Sequence, residues 1–122
     1  MESDGFLATP CEIAVRKYVP SIRASIAMVL VRDYGLSVYR AAKVLKLTPA
    51  AVSNYLLKRR GGEYVDAILN DKELHRMVSE IAERLISENI SPRELSLKMC
   101  MICRKLRIKV EGHYEPPHPP PL

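Results

Sequence analysis

The chain has 122 residues, 48% of them hydrophobic, with one Phe and no Trp, so a single domain is expected whose core is built from aliphatic side chains. The longest apolar run, residues 26–31, is far shorter than the roughly 20 residues needed to span a bilayer, and the acidic opening MESDGFLATP lacks the pattern of a secretory leader; the reading is a cytoplasmic protein that does not enter a membrane. The formal charge is +5 and is unevenly spread: residues 37–60 carry Arg40, Lys43, Lys46, Lys58, Arg59 and Arg60 with no acid, residues 63–94 carry eight acids against four bases, and residues 98–109 are again purely basic. Segregation of this kind suggests a polyanionic partner, although a solvated basic face has the same composition.

Residues 1–9 read as a loose end. A short helix or turn is expected between Pro10 and Pro20. Pro20 suits a first helical position, and Ile22, Ile26, Val29 and Leu30 mark one face of the helix it opens. Gly35 is the expected left-handed stop. Ser37 can cap a second helix with Ala41, Val44 and Leu45 inward. After a turn at residues 46–48, Thr48 caps and Pro49 opens a third helix, read as helix 48–60 and ended by Gly61 and Gly62; Val52, Tyr55 and Leu56 face inward. A short helix over residues 63–69 follows. Leu74, Met77, Val78, Ile81, Ala82, Leu85 and Ile86 form a continuous stripe on a longer helix. SPRE at 91–94 is a capping box that starts a final helix with Leu95, Met99, Ile102 and Leu106 inward. Residues 106–110 also fit a short extended piece. The tail, residues 111–122, is proline-rich and expected to be flexible.

Two short helices joined by a tight turn, the second ending in three cations, describe a helix-turn-helix. Ala42 is small where the helices must approach. With Val52 and Tyr55 inward, Thr48, Pro49, Ala50, Ser53 and Asn54 are left on the outer side of the second helix. These groups suit a DNA groove: Asn makes bidentate contacts to adenine, Thr and Ala methyls touch thymine methyls, and hydroxyls bond bases or phosphates. Arg40, Lys43, Lys58, Arg59 and Arg60 are the expected phosphate contacts. The plain alternative is a helical hairpin with a merely exposed outer face.

The stretch LSVYRAAKVLKLTPAAVSNYLLKRRGG resembles the helix-turn-helix of phage-repressor/Cro-type regulators. Pro10-Cys11-Glu12 and Cys100-Met101-Ile102-Cys103-Arg104 add a resemblance, over residues 10 to about 107, to small archaeal predicted transcriptional regulators. The resemblance implies an all-α, lambda-repressor-like domain of five or six helices over residues 10–110, and binding of double-stranded DNA. The chain departs from the repressor pattern at Lys46, where glycine is usual in the turn.

Cys100 and Cys103 are one helical turn apart, beside the apolar face. With Cys11 they are candidate ligands for zinc or an iron–sulfur cluster, with His75, His113 or Glu12 as a fourth group; a disulfide switch is another reading, and plain packing of small, soft side chains is the more ordinary one. Repressors usually dimerise, and the helices carrying residues 74–86 and 95–106 are the candidate homodimer surface. No nucleophile–base pair, phosphate loop or carboxylate pair is evident, so no enzyme is expected. The competing function is a protein-interaction adaptor using the apolar helix faces and the proline tail.

Overall fold

A computed structural model describes residues 16–112. Among them there is no strand, and six α-helices follow in order: α1 (Val19–Met28), α2 (Val38–Leu45), α3 (Pro49–Leu56), α4 (Val65–Leu69), α5 (Lys72–Ile86) and α6 (Pro92–Glu111). The first part of the chain, including residues 1–9, Pro10, Cys11 and Glu12, lies outside the described residues, as does the tail from residue 113 onward.

α1 is the axis of the molecule. Sequence periodicity gives it one inner face, but Ser21, Ile22 and residues 24–30 are all buried. The reason is its composition: Ala24, Ala27, Ser21 and Ser25 are small enough for α3, α4, α5 and α6 to close on it from several directions. Its two buried hydroxyls are satisfied locally. Ser25 donates to the Ser21 carbonyl at 2.8 Å, and Ser21 Oγ accepts from the Tyr64 N–H at 3.0 Å. Pro20 lies in the first turn, one residue later than expected, because Val19 is already helical.

α1 runs into a π-helical turn, Val29–Asp33. There the Tyr34 N–H donates to the Val29 carbonyl and the Leu36 N–H to that of Leu30, with Gly35 left-handed at φ +73° as expected. Helix starts are set by side-chain caps: Ser37, Thr48, Asp71 and Ser91 accept from the N–H groups of Arg40, Ala51, Leu74 and Glu94.

Three helix ends share one device. Lys46, Lys58 and Glu88 are the described non-glycine residues at positive φ. Each is followed by a residue whose N–H reaches back five positions: Leu47 to Ala42, Arg59 to Asn54, and Asn89 to Arg84, at 2.9, 2.9 and 3.1 Å. Each is a Schellman closure made without glycine.

α5 and α6 form an antiparallel pair. Leu74, Val78, Ile81 and Ala82 of α5, and Ile102, Cys103 and Leu106 of α6, enter the core. Residues 106–110 are helical, so the extended alternative does not hold, and the helix also takes in Glu111, which had been assigned to the tail. At that end Tyr18, fully buried, donates to Glu111 Oε2 at 2.9 Å. Burial, and then the Glu111 carboxylate, raise the Tyr18 phenol well above its ordinary range.

Candidate nucleic-acid interface

α2 and α3 pack on each other and, through α3, on α1. Ala41 and Ala42 are buried where they meet, and Ala42 gives its carbonyl to the turn. Lys46 takes φ 58° and ψ 43°, the left-handed conformation that favours glycine. A lysine there costs about 1 kcal/mol, and the closure bonds on either side hold it.

Val52 and Tyr55 anchor α3, 0% and 4% exposed. The opposite side is open. Thr48, Pro49 and Ala50 are exposed, and Ser53 and Asn54 are half-buried. Thr48 has two tasks: its Oγ1 accepts the Ala51 N–H at 3.1 Å, while its methyl and hydroxyl proton stay available. The five proposed base-contacting residues thus lie together on one short helix and its cap.

The structure shortens the third helix. It spans Pro49–Leu56, not 48–60, because Lys58 turns left-handed at φ 59° and closes it two residues before the cation run ends. Lys58, Arg59 and Arg60 therefore leave the helix on a tethered segment. Lys58 Nζ meets Asp66 at 3.3 Å, and the Arg60 guanidinium sits 5.9 Å from the Tyr55 ring centre. Gly61 at φ +68° presses on α1 so closely that a Cβ would come within 2.4 Å of the Pro20 carbonyl oxygen. Arg40, Lys43 and Arg59 are exposed and form no ion pair among the described residues.

Two groups on this side escaped sequence reasoning. Leu57 is 60% exposed and stands seven residues after Ala50 and three after Asn54, so helical phase alone would have found it. Tyr39, 76% exposed, precedes Arg40 on α2; its hydroxyl is a phosphate-bonding type.

The second basic stretch is not a second open face. Lys98, Lys105 and Lys109 reach Glu80, Glu73 and Asp71 at 3.6, 3.3 and 3.3 Å, and Arg84 of α5 forks onto Glu94 of α6 at 2.8 and 2.9 Å. The acidic and basic segments largely answer each other along α5 and α6.

The proposed metal ligands are only partly placed. Cys100 is exposed and Cys103 buried, while Cys11 lies outside the described residues. His75 is engaged elsewhere, its Nε2 3.0 Å from Asp33 Oδ2; His113 and Glu12 lie outside the described residues. Among the described residues no three His, Cys, Asp or Glu side chains come together as a metal site. None of the described helices is long and apolar enough to cross a membrane.

No family model matches the chain, and neither a curated protein nor a solved structure matches it.

Proposed function

We propose that this chain is a sequence-specific, double-stranded DNA-binding regulator that lays α3 in the major groove. One observation carries the reading. A two-turn helix, capped by Thr48 and opened by Pro49, leaves Thr48, Pro49 and Ala50 exposed and Ser53 and Asn54 half-exposed, with exposed cations on both flanks. The thin N-terminal end suits the roughly 12 Å width of the groove. Its capped N-terminus carries partial positive charge that favours phosphate. Asn54 and Ser53 supply donors and acceptors for base edges, and the Ala50 and Thr48 methyls supply apolar contact for thymine. In this reading the exposed Arg40, Lys43 and Arg59 meet backbone phosphates, with Lys58 and Arg60 as further contacts. The chain acts as a homodimer on paired half-sites, the usual way in which two such helices gain affinity. No catalytic role and no metal is needed for this function.

The competing adaptor reading draws on exposed apolar side chains of α6, such as Leu97 and Met101. Titration of the full chain with pooled genomic duplexes and with random duplexes, at two salt concentrations, separates the two. The regulator binds both pools, holds a subset of genomic fragments more tightly, and loses affinity steeply with salt. An adaptor binds neither pool at physiological salt.

A further inference from the structure

Lys46 combines a strained backbone with an unpartnered side chain. Its φ of 58° is a left-handed conformation that glycine adopts without penalty. The closure at this point needs only main chain: the Lys46 N–H donates to the Lys43 carbonyl at 3.2 Å, and the Leu47 N–H to that of Ala42 at 2.9 Å. Glycine would form both bonds. The Lys46 side chain adds nothing to the fold, being exposed with no ion pair or hydrogen bond among the described residues. Lys58, left-handed at the other end of α3, differs in this respect, since Asp66 holds its Nζ at 3.3 Å. A strained residue whose side chain meets nothing in its own chain points to a task outside it.

The surroundings of Lys46 indicate which task. It stands two residues before Thr48, the cap of α3. Leu45 is still helical, so the Lys46 Cα remains on the path of α2. At 100° and 1.5 Å per residue, Tyr39, Lys43 and Lys46 fall within an arc of about 60° and along about 10 Å of axis. All three are exposed. No acid lies anywhere in residues 37–60. A hydroxyl and two ammonium groups in a row suit a duplex strand, which presents a phosphate about every 3.4 Å along its axis.

We infer that Lys46 is a further phosphate contact, which with Lys43 and Tyr39 holds one strand of the duplex at the entry to α3. The inference rests on the DNA-binding reading. It explains why a lysine occupies a backbone position that glycine would fill with less strain: the fold gives up some stability, and the duplex gains a cation beside the helix that reads it.

Duplex binding by the full chain across a range of salt concentrations, with urea unfolding of the same variants, tests this. Lys46→Gly keeps or raises the urea midpoint, weakens binding to every duplex roughly three- to tenfold at physiological salt, and reduces the salt slope by about one. Lys46→Arg restores the wild-type slope. Glu88→Gly relieves the same backbone strain at the end of α5 and leaves the slope unchanged. Arg104→Gln removes an equal charge from α6, which is not a principal neighbour of α2 or α3, and also leaves the slope unchanged. If Lys46→Gly keeps the wild-type slope, or Arg104→Gln lowers it as much, Lys46 does not contact phosphate, while the DNA-binding reading stands. A Lys46→Gly chain with a lower urea midpoint makes the lysine a folding residue and overturns the inference. A wild type that binds no duplex overturns the DNA-binding reading, and the inference with it.

Discussion

At the scale of single residues, backbone conformation does much of the positioning. Lys46 and Lys58 are both left-handed, and between them they set both ends of the α3 module. Lys46 was legible because the resembled repressors carry glycine at that point. Lys58 was not, because the two glycines after it looked like the helix stop. Those glycines serve another end. Gly61 combines φ +68° with a close approach to the Pro20 carbonyl, which brings the chain back onto α1 immediately after the cations. Gly61→Ala should therefore lower stability by about 2–3 kcal/mol, from the left-handed penalty and the clash together. Urea unfolding measures it; a loss under about 0.5 kcal/mol would mean that the contact yields easily.

At the scale of elements, capping residues made the helices readable. Ser37, Thr48 with Pro49, and Ser91 with Pro92 each begin a helix where the sequence places one. Burial around the whole of α1 was hidden, because it depends on which helices close on its small residues. The ion pairs between α5 and α6 were hidden for the same reason: composition shows acidic and basic segments but not that they face each other. These pairs give stability an acid limit. The Leu74 N–H, and after it Lys109, hold the Asp71 carboxyl below its ordinary range; the Arg84 fork does the same, first among its causes, for Glu94. A folded-state pKa below the unfolded one means that the unfolded chain binds more protons in the interval between them. The stabilisation is thus present above about pH 4 and is lost as pH falls through the depressed values. Urea midpoints recorded between about pH 6 and pH 2 should fall for the wild type and fall less for Asp71→Asn and Glu94→Gln. Variants that track the wild type would place the acid sensitivity elsewhere. The α3 module carries its own test. Arg59 is exposed and unpaired among the described residues, so Arg59→Ala should weaken binding to all duplexes alike and reduce the salt slope by about one. An unchanged slope would remove Arg59 from the phosphate contacts.

At the scale of the whole molecule, the helices differ in what they leave open to solvent. α1 is enclosed by the other helices, α2 and α3 leave Arg40, Lys43, Thr48, Pro49 and Ala50 exposed, and α5 and α6 join three pairs of their charges to each other. The outer face of α3 was readable from sequence because small polar groups and an N-capped proline coincide there. Leu57 was within reach of helical phase, while Tyr39 was missed because an exposed Tyr is recognised only once its surroundings are known. The measurement that bears most directly on this account is selection of bound duplexes from a random pool by the wild type and by Asn54→Ala. The wild type should enrich a defined motif. Asn54→Ala should still bind duplex but lose preference at one base pair, worth about 1–3 kcal/mol. If the wild type enriches nothing, or Asn54→Ala enriches the same motif with undiminished preference at every position, α3 does not read DNA through this face.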